Sequence, residues 1–351
     1  MNIQQRINLI KEVGEEIVTE EELKTLLETK KKPIAYDGFE PSGTAHIAQG
    51  ILRSINVNKM LKAGIHFKMY AADWHAWTNL KFNGNLEKIQ KAGDYLIEVW
   101  KACGMETNKV EFIRATDVIK NQDYWKKVVK IAQNSTVKRI LRCGQIMGRS
   151  ESEMHQASQI LYPCMQAADI FEFGADITQL GMDQRKVNIL AREIGPKLGF
   201  WKPVVVSHHM LMGLKQIPGN NQTDRSIQLK MSKSNPDSAI FMNDSEESVN
   251  KKISKAYCPE GIVEENPILD YNKHIIFELF KTIKIERPNK FGGNIEFTSY
   301  QKLEEAFKNK KVHPMDLKKA TSSYLNKLMN PIRKKLSSSK AAQRLEKELK
   351  S

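Results

Sequence analysis

The sequence has few of the features that mark secreted, membrane-spanning or zinc-binding proteins. Its four cysteines are far apart in 351 residues and form no Cys-x-x-Cys or paired Cys/His spacing. Neither a disulfide framework nor a zinc site is therefore indicated. No apolar run approaches the roughly eighteen residues of a membrane span, and the first turns contain acids where a signal peptide has an apolar centre. These absences predict a cytoplasmic protein with reduced cysteines, no membrane association and no structural metal.

The sequence also lacks the residue patterns of common hydrolases. Nothing in it matches a Ser/His/Asp triad or a pair of carboxylates at acid/base spacing, so hydrolysis is disfavoured. What it has in excess is positive charge, with 55 Lys and Arg against 41 Asp and Glu and a net charge of +14. A balance of this kind favours a polyanionic partner such as nucleic acid.

Changes in the apolar pattern divide the chain into four regions. Residues 1–32 have apolar positions at helical spacing and predict one or two helices. Residues 33–242 alternate short strands with helices, which predicts a Rossmann-like α/β domain with a doubly wound parallel sheet. Helical patterns dominate residues 243–335 and predict a separate helical domain. Residues 336–351 form a basic C-terminal tail, which is either a solvated helix or an RNA-facing arm.

Polar residues follow the first two predicted strands of the α/β region. In sheets of this kind, ligands bind beyond the carboxyl ends of the strands, where the segments 36–46 and 73–75 would lie. The turn EPSGTA places His46 in the first turn of a helix, whose free N–H groups and dipole suit a phosphate. A structural turn with a capping histidine explains this segment equally well. The clearest strand candidates are KPIAYDGF, IHFKMYAADW, VEFIRA and KPVVVSH.

A polar stripe runs along one predicted helix in the segment QILYPCMQAADIFEF. Tyr162, Gln166 and Asp169 fall at i, i+4 and i+7, among apolar or small neighbours. An exposed face usually carries Lys and Glu, so this stripe is typical of a polar pocket, which Gln184 would close. Such groups suit a ligand with an ammonium and a hydroxyl. A satisfied internal hydrogen-bond network is the alternative.

Two lysines, Lys230 and Lys233, lie in the segment SIQLKMSKSNPDSA, which has neither helical nor strand periodicity. Lysines in such a loop are usually solvated charges with no further role. The alternative is a clamp that closes on a polyphosphate and stabilises charge that develops in a transition state. The segment alone does not distinguish the two interpretations.

Taken together, these motifs resemble the class I aminoacyl-tRNA synthetases, and specifically the tyrosyl-tRNA synthetases of the archaeal and eukaryotic cytosolic type. The versions from plants and protists are the most similar, and the resemblance covers residues 33 to 335. The shared segments are YDGFEPSG, HIAQG, RILRCGQIMGRSE, ILYPCMQAADI, LGMDQRK and KMSKS.

The resemblance implies a pocket for the amino acid tyrosine. Tyr36 and Asp169 would bracket the phenolic hydroxyl of the substrate. Tyr162, Gln166 and Gln184 would hold its ammonium group. This assignment agrees with the hydroxyl-and-ammonium ligand that the residue types themselves favour.

The resemblance also implies an ATP site, with Mg²⁺ entering together with ATP. His46, Gln49, Lys230 and Lys233 would be the catalytic residues. The family's His-Ile-Gly-His signature is here His-Ile-Ala-Gln, and Gln49 forms hydrogen bonds but carries no charge. Further residues of the ATP site would be Gly38, Ala48, Met231 and Ser232.

The helical domain resembles the anticodon-binding segment of the same family. Phe291 would stack on the first anticodon base and Asp316 would hydrogen-bond to it, an arrangement suited to an unpaired base. The implied function is a tyrosine–tRNA ligase that uses ATP, charges tRNA-Tyr and works as a symmetric homodimer. The alternatives are a tryptophanyl-tRNA synthetase and a catalytically inactive RNA-binding relative.

Overall fold

A six-stranded sheet organises the first two thirds of the chain in a computed structural model that describes residues 1–148, 156–216, 231 and 236–350. The strand order is β1-β6-β5-β2-β3-β4, and every neighbouring pair is parallel except β1 and β6. The strands are β1 (Gly14–Val18), β2 (Ile34–Phe39), β3 (His66–Ala71), β4 (Val110–Arg114), β5 (Ile177–Thr178) and β6 (Val204–His208).

Helices connect the parallel strands and continue beyond the sheet. The α-helices that precede β6 in the chain are α1 (Ile3–Val13), α2 (Glu20–Thr29), α3 (Arg53–Lys62), α4 (Asp73–Thr78), α5 (Leu86–Ala102), α6 (Ala115–Val118), α7 (Gln122–Gln133), α8 (Val137–Arg142), α9 (Ala157–Glu172) and α10 (Arg185–Ile194). Those after it are α11 (Glu246–Lys255), α12 (Pro267–Tyr271), α13 (Phe277–Leu279), α14 (Tyr300–Lys308), α15 (Pro314–Ser338) and α16 (Lys340–Lys350).

The predicted doubly wound sheet is confirmed, and alternation along its strands explains how both faces are covered. Ala35 and Phe67 belong to a cluster of buried apolar residues shared with α1, α3 and α5. Tyr36 and Tyr70 belong to a second cluster shared with α7, α8, α9 and α10. Because successive side chains of a strand point to opposite faces, the two clusters pack on opposite sides of the sheet.

The order of the strands determines where a ligand site can form. From β2 the chain proceeds through β3 to β4 on one side, and then returns to add β5 and β6 on the other side of β2. The direction of winding therefore changes between β2 and β5. In parallel α/β sheets the crevice at the carboxyl ends of such strands is the usual binding site.

The N-terminal region contains the two helices that were expected at most, together with a strand that was not expected. Thr19 and Glu22 form a capping box at the start of α2, with reciprocal hydrogen bonds of 3.1 and 3.2 Å. Between α1 and α2, however, β1 joins the edge of the sheet antiparallel to β6. Residues 14–18 were not predicted as a strand because their pairing with β6 depends on tertiary structure and two of them are acidic.

The helical C-terminal region also contains structure that the apolar pattern does not reveal. A small antiparallel pair is formed by β7 (Ile283–Ile285) and β8 (Ile295–Phe297). The division expected between residues 335 and 336 falls inside α15. The basic tail continues as α16, which packs on α5 through buried Leu345 and an ion pair of 3.1 Å between Glu348 and Lys91. The other expected divisions stay predictions. Within the described residues, no helix combines the length and apolar character of a membrane span.

Candidate active site

A cavity of about 250 Å³ opens at the carboxyl ends of β2 and β5, at the point where the winding of the sheet reverses. It brings together residues that the sequence places more than a hundred positions apart. The predicted site residues that line it are Tyr36, Gly38, His46, Ala48, Gln49, Tyr162, Gln166, Asp169, Gln184 and Met231. The predicted residues Lys230, Ser232 and Lys233 lie outside the described part of the chain.

One end of the cavity pairs a hydroxyl with a carboxylate. The Tyr36 hydroxyl, on β2, is buried and has no hydrogen-bond partner among the described residues. Burial raises the pKa of Tyr36, and the negative charge of nearby Asp169 raises it further. Tyr36 is therefore a neutral donor beside a carboxylate acceptor. Because a buried hydroxyl without a partner is costly, this pair is suited to a ligand that supplies the missing hydrogen bonds.

The Asp169 carboxylate contacts two side chains that sequence reasoning did not assign to it. The Tyr124 hydroxyl, on α7, donates to Asp169 Oδ1 at 3.0 Å, and His75 Nε2 lies 3.0 Å from Oδ2. The His75 ring packs edge-on against Tyr162, with ring centroids 5.0 Å apart. His75 lies in the segment expected beyond β3, but nothing near Tyr124 in the sequence indicates its role, which depends on the packing of α7 against α9.

The other end of the cavity is built from amide groups. Gln166 Nε2 donates to Gln184 Oε1 at 3.0 Å, and Gln184 Nε2 donates to the carbonyl of Ile146 at 3.0 Å. Gln184, which was predicted to close the pocket, is thus in direct contact with Gln166. Because Gln166 uses its N–H₂ group in this chain, its carbonyl oxygen is left as an acceptor.

Negative charge accompanies these amides. Burial raises the pKa of Tyr162, and the Glu40 carboxylate beside it raises the pKa further. Glu40 is itself held by Asn79, which donates to it at 3.0 Å, and by Lys81 at 3.3 Å. Glu40 lies in the YDGFEPSG segment but was not predicted as a site residue, because its contact with Tyr162 joins two distant parts of the sequence.

The helix start at His46 is held from the far side of the cavity. His46 lies two residues before a π-helix, Ala48–Leu52, that continues as α3. His46 Nδ1 lies 3.3 Å from the backbone nitrogen of Gln49, which donates to it. The backbone N–H of Ile47 donates to the carbonyl of Ile240 at 2.8 Å. The segment that follows the KMSKS motif is therefore paired with the turn before α3.

Met231 connects the same motif to the cavity. It is buried, lines the cavity and donates its backbone N–H to the carbonyl of Leu211 at 3.1 Å. Its sequence neighbours are Lys230 and Ser232.

A buried ion pair lies beneath the cavity. Arg53 Nε, on α3, lies 3.1 Å from Asp37 Oδ2, on β2, and both side chains are almost fully buried. Arg53 also donates to Gln179 and lies 3.2 Å from His208 Nδ1. Burial raises the pKa of Asp37 to about 7, although the Arg53 charge and the Gly38 N–H both oppose that shift. This network links α3 to the ends of β2, β5 and β6.

The chain was compared with known proteins, and residues 28–330 match the family of class I tRNA synthetases for W and Y. The sheet topology and the position of the cavity agree with this match. The class that the fold and the site define is therefore a class I aminoacyl-tRNA synthetase.

Relatives of known function narrow the assignment. "Tyrosine--tRNA ligase 1, cytoplasmic" of Arabidopsis thaliana is 48% identical over 351 residues, covering 99% of this chain and 89% of that protein. A tyrosine–tRNA ligase of Saccharolobus islandicus is 44% identical, covering 96% of this chain and 95% of that protein. The Pyrococcus horikoshii tyrosyl-tRNA synthetase complexed with L-tyrosine superimposes with a TM-score of 0.91 at 37% identity, covering 99% of this chain and all of that one. The chain belongs to the tyrosyl-tRNA synthetases of the archaeal and eukaryotic type.

The alternative family shares only the architecture. The tryptophanyl-tRNA synthetase of Aeropyrum pernix superimposes with a TM-score of 0.66 at 16% identity, which supports a common fold. The tryptophanyl alternative is therefore not favoured.

The ion pair beneath the cavity leads to a stability prediction. Replacing Arg53→Met leaves Asp37 buried without its partner, so the free energy of unfolding should fall by about 3–5 kcal/mol. Urea unfolding followed by circular dichroism measures this. Lys62→Met, at an exposed position on the same helix, should change it by less than about 0.5 kcal/mol. The double variant Asp37→Asn/Arg53→Met should recover part of the loss, and strictly additive losses would contradict the pairing.

Proposed function

We propose that this chain, as a tyrosine–tRNA ligase, binds L-tyrosine in the cavity with the phenol between Tyr36 and Asp169. The observation that carries this assignment is the buried Tyr36 hydroxyl, which has no partner among the described residues and lies near the Asp169 carboxylate. Asp169 accepts a hydrogen bond from the phenolic O–H of the substrate, and the Tyr36 hydroxyl donates a hydrogen bond to the phenolic oxygen. The indole N–H of tryptophan can donate a hydrogen bond to Asp169, but an indole has no acceptor for the Tyr36 hydroxyl. This difference argues against tryptophan as the substrate.

The ammonium group of tyrosine is placed at the opposite end of the cavity. The carbonyl oxygen of Gln166 faces it because the Gln166 amide N–H₂ is already bonded to Gln184. The Tyr162 hydroxyl oxygen is a second acceptor, and the Glu40 carboxylate supplies negative charge. The two ends of the cavity offer different hydrogen-bonding groups, and this difference orients the amino acid. Tyrosyl-tRNA synthetases are themselves the established example of selection against phenylalanine by polar groups that it would leave unpaired.

Activation then requires positioning and charge stabilisation. An oxygen of the tyrosine carboxylate attacks the α-phosphorus of ATP. The bond from that phosphorus to the oxygen bridging the α- and β-phosphates breaks, which gives tyrosyl-adenylate and releases pyrophosphate. The carboxylate is already ionised at neutral pH, so this step needs no general base. His46, Gln49, Lys230 and Lys233 stabilise the phosphates.

Mg²⁺ enters with the substrate in this proposal. Magnesium prefers phosphate oxygens, water and one or two carboxylates to a cage made of protein ligands alone. Asp37 and Glu40 line the cavity but already contact Arg53 and Lys81. The ion is therefore assigned to the phosphates of ATP. The adenine and ribose are assigned to Gly38, Ala48, Met231 and Ser232.

Transfer to tRNA-Tyr completes the reaction. A ribose hydroxyl of the terminal adenosine attacks the carbonyl carbon of tyrosyl-adenylate, and AMP leaves. In the helical region, Phe291 is 61% exposed, with Lys290 Nζ 5.0 Å from its ring centroid. Asp316 lies in the first turn of α15. An exposed aromatic ring with a neighbouring cation suits stacking on an anticodon base.

The catalytic region also presents an apolar surface that fits a symmetric homodimer. Val129 on α7 and Val137 on α8 are 52% and 63% exposed, and Ile160 and Leu161 on α9 are also exposed. The three helices pack together, with α9 in contact with both α7 and α8. A second copy covering this surface would bury these side chains.

A cytoplasmic location is proposed from the Arabidopsis relative that is described as cytoplasmic.

Tyrosine recognition is tested by Tyr36→Phe, which removes one hydroxyl and leaves the ring. Losing the hydrogen bond to a buried phenol costs about 1–3 kcal/mol, so kcat/KM for tyrosine should fall about 10–100-fold with little change in the KM for ATP. Tyrosine-dependent ATP–pyrophosphate exchange measures both constants. The matched control is Tyr95→Phe. The Tyr95 hydroxyl is also buried and has no partner in the described part of the chain, but Tyr95 lies outside the cavity. A Tyr36→Phe enzyme within twofold of wild type would contradict the assignment.

Phosphate stabilisation is tested by Lys233→Ala. By analogy with donors that stabilise oxyanions, the rate of ATP–pyrophosphate exchange should fall by about 10² to 10³. The control is Lys197→Ala, at an exposed position outside the cavity. Exchange near the wild-type rate in Lys233→Ala would show that this lysine has no part in activation.

Anticodon recognition is tested by Asp316→Ala. Tyrosine activation should be unaffected, whereas the KM for tRNA-Tyr in aminoacylation should rise about tenfold, because a hydrogen bond to a base edge is lost. Comparing the exchange and aminoacylation assays separates the two steps. An equal loss in both assays would indicate a structural defect and would refute a role confined to tRNA.

A further inference from the structure

A second cavity lies apart from the active site, where the N-terminal segment, the end of β6 and the helical region meet. Its lining includes Glu15 at β1, His209 directly after β6, and Asp270 and His274 around α12. None of these residues lines the proposed tyrosine and ATP site. The cavity therefore contains titratable groups that the proposed reaction does not use.

Two imidazoles and one carboxylate oxygen converge in this cavity. His209 Nε2 lies 2.8 Å from Asp270 Oδ1, and His274 Nε2 lies 3.6 Å from the same oxygen. One ligand atom from each of the three residues lies within 4.8 Å of the other two. The two rings are stacked, with centroids 4.0 Å apart and planes 12° apart. One nitrogen of each ring therefore lies near the same carboxylate oxygen, and binding of one ion by both nitrogens requires the rings to rotate out of their parallel stack.

Distance alone does not make the contact between His209 and Asp270 a good hydrogen bond. Although the two atoms are 2.8 Å apart, His209 Nε2 is buried and has no partner of acceptable geometry among the described residues. Ligands of a tetrahedral ion with bonds of about 2.0 Å are separated by about 3.3 Å, and the two distances of 2.8 and 3.6 Å lie on either side of that value. Both distances are therefore close to the separation expected between two ligand atoms of one ion.

Outer contacts hold the ligand groups in orientation. His209 Nδ1 lies 3.1 Å from Glu15 Oε2, which leaves Nε2 as the inward-facing nitrogen. Asp270 Oδ2 accepts from the backbone N–H of Met212 at 2.9 Å, which leaves Oδ1 facing the histidines. Metal-binding histidines commonly have a carboxylate on their second nitrogen, and bound carboxylates are commonly held by further hydrogen bonds.

We propose that His209 Nε2, His274 Nε2 and Asp270 Oδ1 bind a divalent transition-metal ion of the zinc class, with a fourth position open to water. Two imidazoles and one carboxylate are a donor set that zinc accepts in sites with an open position. Sequence spacing gave no sign of this site, because His209 is separated from the other two residues by the whole KMSKS segment and α11. The ion would tie the end of β6 to the helical region.

Cobalt binding tests the site in the full-length chain. After treatment with EDTA, the protein should take up one Co²⁺ per chain with the visible absorption of a four- or five-coordinate ion, and Zn²⁺ should displace it. Asp270→Asn and His274→Ala should each remove this absorption. Glu15→Gln, which changes only an outer contact, should weaken binding about 10–100-fold.

A matched control separates this site from a histidine–carboxylate pair in general. His66 Nε2 lies 2.8 Å from Glu111, but no second histidine of the described residues joins them, so His66→Ala should leave cobalt binding unchanged. Tyrosine-dependent exchange should persist in Asp270→Asn, which shows that the variant is folded. The proposal is overturned if no saturable binding occurs, which would make His209 a protonated partner of Glu15 and Asp270. It is equally overturned if binding survives in both Asp270→Asn and His274→Ala.

Discussion

The Asp169 carboxylate is the group on which the active site depends. A charge buried to this degree needs partners for its oxygens. Tyr124 donates a hydrogen bond to Oδ1, and His75 Nε2 lies 3.0 Å from Oδ2, so the contacts come from two other helices. The positions of α4, α7 and α9 are therefore coupled through one side chain. Because those partners are fixed before a ligand arrives, Asp169 and Tyr36 form a prearranged acceptor and donor for a phenol.

The second constraint is a buried polar network that holds the strands together at the point where the winding of the sheet reverses. Asp37 and Arg53 hold β2 to α3 and, through Gln179 and His208, to β5 and β6. Asp37 and His208 also line the cavity, whose two ends differ in character. One end presents a hydroxyl and a carboxylate, and the other presents amide oxygens near Glu40. An amino acid with a phenol at one end and an ammonium at the other matches both ends at once.

The parts of this arrangement that local sequence determines were predictable. The alternation of strand and helix patterns predicted the sheet, and the i, i+4, i+7 spacing of Tyr162, Gln166 and Asp169 predicted a shared face. Gln184 was expected to close the pocket, and it bonds directly to Gln166. These predictions succeeded because helical spacing and strand ends can be recognised without knowledge of tertiary contacts.

The features that were missed depend on contacts between distant segments. β1 is a strand because β6 lies beside it, and Lys340–Lys350 form a packed helix because α5 offers an apolar face. Tyr124 and Glu40 act on Asp169 and Tyr162 across large sequence separations.

The central claim is that the cavity selects its amino acid by pairing a phenolic hydroxyl with Tyr36 and Asp169. The most direct measurement is ATP–pyrophosphate exchange by one enzyme preparation with tyrosine, phenylalanine or tryptophan as the amino acid. The account predicts rapid exchange with tyrosine and exchange near background with the other two. Comparable exchange with tryptophan or phenylalanine would contradict it, because neither has a hydroxyl to satisfy both groups.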